Sequence, residues 1–251
     1  MPKSFLVILT VFIFILSSCT TFENIEMQND LDEIFAEFES LEGTVYLGIS
    51  GPYTDQEKGM KVALENAMTM AALSRELRMR ADVDMRTDDS GRRDRTYFDV
   101  YSSGGYSSQA MMDVVDNYSV ISTIWYGGEI GAAVFIICND EDQSPIKWNH
   151  DISWLEESVE YPGYIFATGT VDEYYYIQDS INAAAYEAAT NLVLNHSSTL
   201  MVVNEIAQNS AYSMDVDSYQ IGVGILKGFK VLAYKYDAID RTFSALVGAE
   251  I

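Results

Sequence analysis

The hydrophobic pattern opens with a mostly apolar run, Phe5 to Leu16, behind a single cation, Lys3. One positive charge followed by a short apolar stretch is the layout of an export signal. A bilayer-spanning helix needs about 20 apolar residues, more than this run supplies. A buried core helix would share the pattern, but the start at Met1 and the polar stretch behind the run favour export. Farther on, Leu31, Ile34, Phe35, Phe38 and Leu41 recur at i, i+3, i+4 spacing, which predicts a short amphipathic helix. Asp30, Asp32, Glu33, Glu37 and Glu39 on the same segment favour packing on the protein body. A membrane-surface helix would carry Lys and Arg instead.

The remaining pattern falls into two similar halves. Thr44 to Ser50 predicts a strand that ends at Gly51-Pro52, and a long helix follows over about 54–80 with Met60, Leu64, Ala67 and Ala71 as its stripe. Tyr164 to Thr168 predicts a strand that ends at Gly169, and a second helix covers about 172–195 with Ile177, Ile181, Ala184 and Ala188 as its stripe. The stripes are offset by 117 positions, and Gly51 and Gly169 by 118. Strand-like segments follow each helix: Tyr97 to Tyr101, Ser119 to Trp125 and Gly131 to Cys138, then Leu200 to Val203, Lys230 to Tyr236 and Phe243 to Ile251. The expected fold is α+β: two tandem copies of a strand–helix–strands unit, each with one long helix on a small antiparallel sheet. A coincidence of two amphipathic helices is the alternative. The expected organisation is a signal at 1–18, a tether and short helix at 19–42, a first domain at 43–140, an acidic linker at 141–160 and a second domain at 161–251.

The signal ends in Leu16-Ser17-Ser18-Cys19, which resembles the lipobox of bacterial lipoproteins. That resemblance implies cleavage before Cys19 and acylation of its thiol and new amino terminus. Several acyl chains give a stable anchor where one gives reversible binding. Thr20 follows Cys19 where an Asp would stand for inner-membrane retention, so the resemblance implies the outer membrane, facing the periplasm. An ordinary signal peptide, with Cys19 incidental, is the alternative. The other cysteine, Cys138, lies in an apolar run and reads as a buried, inert thiol. Two cysteines, one acylated, leave no intrachain disulfide and no paired-cysteine metal site.

The order of pieces is also similar to a known family. Gly51 leads to a helix with Ala63, Ala67 and Ala71, then come Trp125-Tyr126-Gly127-Gly128 and Ala133-Val134-Phe135-Ile136. In the second half Gly169 leads to Ala184 and Ala188, then to Tyr236-Asp237 and Ala245-Leu246-Val247. This pattern resembles the LPP-twenty lipoproteins and the related N-terminal domain of the flagellar assembly protein FlgT. The resemblance covers both halves and departs from the family in the acidic linker and an Arg-rich insert. It implies a non-enzymatic cell-envelope protein, tied to flagella or the outer membrane, with another envelope protein as partner.

Composition narrows the remaining choices. The 251 residues include 38 acids against 15 Lys and Arg, for a formal charge of −23, and 48% are apolar. That apolar content excludes disorder for most of the chain. The acidity argues against a nucleic-acid partner, whose phosphates need Lys and Arg, and against an electrostatic grip on anionic lipid. His196 sits where the second helix is expected to end and suits a cap there. His150 sits in Trp148-Asn149-His150-Asp151, and a ligand-binding or hydrolytic site around it is the alternative function. No Gly-x-Ser-x-Gly elbow, His-Glu-x-x-His pair or Walker-type Gly-Lys-Ser occurs, so no catalytic residue, metal or cofactor is assigned. Gly127-Gly128 reads as a hairpin turn. The acid pairs, such as Asp215 with Asp217, read as solvated surface.

Cations cluster instead. Arg75, Arg78 and Arg80 suit a helix C-terminus. Arg86, Arg92, Arg93 and Arg95 flank the turn Thr87 to Gly91. This hairpin is read two ways: as solvated and neutralised by its own acids, or as a docking patch for an anionic partner. Tyr174-Tyr175-Tyr176 would open the second helix, and Tyr101 and Tyr106 would bracket a Ser/Gly loop. Tyrosine suits both sheets and interfaces.

Overall fold

A computed structural model describes residues 26–88, 95–141, 153–202, 218–226 and 228–250. Helix α1 covers 26–40 and buries Met27, Leu31, Ile34, Phe35 and Phe38. Strand β1 (Val45–Ile49) follows, then helix α2 (Gln56–Arg75). Asp55 caps α2 by accepting the Lys58 N–H at 3.3 Å, which satisfies one of the unpaired first-turn amides. The chain then forms β2 (Leu77–Asp88), β3 (Arg95–Gly105), α3 (Ser108–Asn117), β4 (Tyr118–Trp125) and β5 (Ala132–Cys138). The second half supplies β6 (Tyr164–Asp172), α4 (Ile177–Ser197), β7 (Ser198–Val202), β8 (Ser218–Leu226), β9 (Lys230–Asp237) and β10 (Thr242–Glu250). The class is α+β with antiparallel sheets.

Two three-stranded sheets have strand orders β1-β5-β4 and β6-β10-β9. In each, the strand before the long helix is an edge, and the last strand of that half lies in the centre. A methyl on Gly48 would fall on Ala63 O and Ala67 N of α2, and one on Gly169 would fall on Ala184 O and Ala188 N of α4. The absence of a side chain therefore lets each helix backbone rest on its strand.

A third, four-stranded sheet is shared between the halves, in the order β3-β2-β8-β7. β2 pairs antiparallel with β8 from Leu77↔Leu226 to Met85↔Ser218. One buried cluster likewise draws on both halves, including Ile34, Phe135, Ala188, Leu192, Tyr236 and Phe243. α1 joins the two three-stranded sheets. Its Phe35 and Phe38 rings lie 5.5 and 5.6 Å from Tyr234 of β9, and its Glu37 accepts the Ser122 hydroxyl of β4 at 2.7 Å. Trp154 and Val159 pack with Phe166 and Leu232 over Leu246 and Ala233.

Several expectations need correction. The first helix stops at Arg75, not near 80, because Leu77 and Met79 turn inward and Arg78 and Arg80 outward on β2. Only Arg75 sits in the helix's last turn. The buried stripe of α2 is Gly59, Ala63, Ala67 and Ala71, while Met60 and Leu64 are half-buried. The contacts that match are Gly48 with Gly169, Ala63 with Ala184 and Ala67 with Ala188. The offset of those pairs is 121 positions, about one helical turn from the expected one. Small residues, not large ones, mark the face that meets the sheet. The Ser/Gly stretch before Tyr106 is the end of β3, held by pairs such as Ala81↔Ser102 and Met79↔Gly104. Gly127 and Gly128 lie in a longer loop between β4 and β5, closed by Tyr126 N–H and Gly127 N–H donating to Gly131 O. α3 and β8 were not expected.

Candidate functional site

Two groups of exposed and hydrogen-bonded side chains lie toward opposite ends of the long helices. The end where α1 begins is built on Glu173, just after β6. Its N–H donates to Arg241 O at 2.9 Å. Its carboxylate accepts the Tyr236 hydroxyl at 2.7 Å and Arg241 Nη2 at 2.6 Å. Burial alone would raise the Glu173 carboxyl, but the Arg241 and Tyr236 bonds hold it below its ordinary range. Arg241 closes the β9–β10 turn in the left-handed region at φ 53°. Asp237 accepts the Ile239 and Asp240 N–H groups at 2.8 and 3.1 Å. This Asx-type turn presents Ile239 at 93% exposure. Gln28 of α1 clasps the same turn, donating to Tyr236 O and accepting from Ala238 N–H, each at 2.9 Å.

Beside that turn lie the three tyrosines. They precede α4 and do not open it: the Asp179 N–H donates to Tyr176 O at 3.0 Å, and the Tyr174 N–H donates to Ser180 Oγ at 2.8 Å. Tyr175 and Tyr176 meet edge to face at 4.8 Å. Tyr176 abuts Gly51, whose N–H donates to Gln178 Oε1 at 3.1 Å. All three rings are exposed, and Tyr175 reaches 88%.

The opposite end gathers round the last turn of α2. Arg75 donates to Asp140 Oδ2 at 3.0 Å and lies 3.7 Å from Glu141. The Tyr46 hydroxyl is 2.7 Å from both Ser74 Oγ and Glu141 Oε2. Burial, and then the Glu141 charge, push its pKa well above the tyrosine norm. Arg75 holds Asp140 below the usual carboxylate range. Cys138 is fully buried, and burial followed by Glu141 pushes its thiol up to about 11, so it is a poor nucleophile at neutral pH. α3 crosses this end, with Asn117 O accepting the Asn139 N–H at 2.9 Å. Ala110 and Val114 face inward, whereas Met112 and Val115 face solvent. Val120 and Ile121 on β4 are also exposed. Among the described residues β4 pairs with β5 alone.

A groove of about 380 Å³ runs between 154–159 and the β6 edge, lined by Trp154, Phe166, Thr168, Asn191 and Asn195 among others. Asn191 of α4 donates to Thr168 O at 2.8 Å. Asn66 of α2 donates to Ile49 O at 2.8 Å. Each long helix thus covers one backbone acceptor of its edge strand.

Cys19, His150, Arg92, Arg93, Asp215 and Asp217 lie outside the described residues. Arg86 is on β2 opposite Tyr97, and Arg95 starts β3 opposite Asp88. His196 is in the last turn of α4. Sequence reasoning missed Ile239 and the exposed face of α3. A signal for α3 was present: Ser107 three residues before Ala110, then Val114 one turn on, which is a cap followed by an inward stripe. Among the described residues no group of three His, Cys, Asp or Glu could hold a metal ion. Compared with known proteins, the chain matches no family model, no curated relative and no solved structure.

Proposed function

We propose that this protein is a lipid-anchored, non-enzymatic lipoprotein of the cell envelope that acts by binding another envelope protein. The short apolar run and Leu16-Ser17-Ser18-Cys19 support the anchor, with Cys19 as the acylated residue. The observation that carries the binding role is the apolar surface at the end away from α1's start. There Met112 and Val115 on α3, and Val120 and Ile121 on β4, which among the described residues pairs with β5 alone, stand in solvent. An uncovered strand edge with apolar side chains is a liability unless something pairs with it. An outer-membrane location facing the periplasm, and a flagellar association, follow from the resemblances alone.

The test is cross-linking in native envelopes from a photoreactive residue at Val115 or Val120, beside a Cys19→Ala strain. A specific partner captured from these sites and lost with Cys19 is the expected result. A protein that captures nothing at either site is not an adaptor of this kind.

A second reading rests on the groove beside Trp154, close in sequence to His150. Its amides, carboxylates and indole suit a polar ligand, which makes a ligand-binding lipoprotein the competing account. Saturable, Asn191-dependent ligand stabilisation of the protein would favour it.

A further inference from the structure

We infer that the end carrying Tyr174, Tyr175, Tyr176 and Ile239 lies against the bilayer, with these side chains in its interfacial layer. This rests on the proposed acylation of Cys19. Seven residue steps separate Cys19 from Glu26, the first described residue of α1. A chain covers at most about 3.6 Å per residue, so the anchor is within about 25 Å of that point. α1 begins on the β9–β10 turn, since Gln28 bonds to both Tyr236 and Ala238. The same turn carries Ile239, and through Arg241 and Glu173 it is tied to the chain leading into Tyr174. The anchor point is therefore closer along the chain to this end than to the end carrying α3. The opposite end, with α3, is about one α2 length away, roughly 30 Å for 20 residues.

The side chains suit that position. Ile239 at 93% exposure and Tyr175 at 88% are apolar surface left in water, at a cost that burial in an apolar layer would remove. Tyrosine favours the membrane–water boundary because its ring is apolar and its hydroxyl stays wet. The exposed carboxylates of Asp172, Asp179 and Asp240 surround the patch. They select a zwitterionic lipid surface over an anionic one, since anionic headgroups would repel them. A basic protein surface is the other occupant such a patch could take, and the experiment separates the two.

The full-length protein, matured in its bacterial host and extracted from envelopes, would be reconstituted into phosphatidylcholine vesicles. An environment-sensitive fluorophore would be placed at Ile239→Cys or, as control, at Val115→Cys on α3. Cys138 is buried and does not compete for the label. The expected result is a blue shift, and quenching by lipid-borne spin labels, at position 239 and not at 115. The shift should be lost in Tyr175→Asp and reduced in anionic vesicles. If the protein floats with vesicles but both positions report water, the anchor stands and the inferred contact is overturned. If it does not float and its N-terminal peptide carries no acyl chain, the lipoprotein reading falls and the inference falls with it.

Discussion

Gly48 and Ala67 meet backbone against backbone where α2 crosses β1, and Gly169 and Ala188 repeat the contact where α4 crosses β6. A side chain at either glycine must push a helix off its sheet. Gly48→Ala and Gly169→Ala are each expected to destabilise the fold by about 3 kcal/mol, the upper part of the overpacking range. Gly128→Ala, with nothing within 4 Å of the added carbon, should stay within about 0.5 kcal/mol. Urea unfolding of the three variants checks this. Equal midpoints for Gly48→Ala and Gly128→Ala would show that the helix does not sit as described.

The side chains of Asn66 and Asn191 occupy backbone acceptors of edge strands at Ile49 and Thr168. Asn66→Ala and Asn191→Ala should each cost about 1 kcal/mol, the net worth of one such bond. The two sites share no partner, so the double variant should be close to additive. Strong non-additivity would mean that the halves respond to each other through the shared core.

Thiol counting reports on Cys138 and Cys19 together. In the native protein Cys138 should give no reaction at neutral pH, because it is buried and its thiol pKa is pushed up to about 11. Unfolded protein should give one thiol per chain, from Cys138; a second, on a peptide that contains Cys19, would show that Cys19 is retained without acylation. Mass analysis of the labelled peptides identifies which cysteine reacted.

Stability should fall at both ends of the pH scale. Arg75 lowers the Asp140 carboxyl. At Glu173, burial opposes but does not overcome the lowering by Arg241 and Tyr236. The native state therefore holds these protons more weakly than the unfolded chain does. Their contribution is present above the ordinary carboxylate range and is lost as pH falls through the lowered values. The opposite sign holds for Tyr46, Tyr234 and Tyr236, whose pKa values burial raises. Their contribution is complete below the ordinary tyrosine value near 10 and is lost as pH rises beyond it. Denaturant midpoints against pH should show both limbs, with Asp140→Asn flattening the acid side and Tyr46→Phe the alkaline side.

What the sequence revealed follows from what was local. The strands at Val45–Ile49, Ala132–Cys138 and Lys230–Asp237 are short apolar or alternating runs, and α1 and α4 carry clear stripes. The helix class of residues 76–80 was misread because Arg78 and Arg80 are good helix formers by propensity, while pairing of β2 with β3 and β8 decides their state. Ala67 and Ala71 of the expected α2 stripe are buried, but Met60 and Leu64 look like core where close approach to Gly48 selects Ala63 and Ala67. The patch at Ile239 had no sequence signal, since a lone Ile in a turn gains meaning only from Gln28 and Glu173 beside it. Pairing of Leu77 with Leu226 was beyond any local pattern.

That last pairing has a consequence for the order of assembly. β2 and β3 are synthesised long before β8, and until β8 arrives β2 lacks its inner neighbour. A chain folding as it left the ribosome would hold a bare strand edge through much of its synthesis, open to pairing with the wrong molecule. A chain kept extended until it had crossed a membrane would bring both strands to the same compartment before either was committed. The shared sheet thus makes the full pairing of β2 conditional on delivery of the second half.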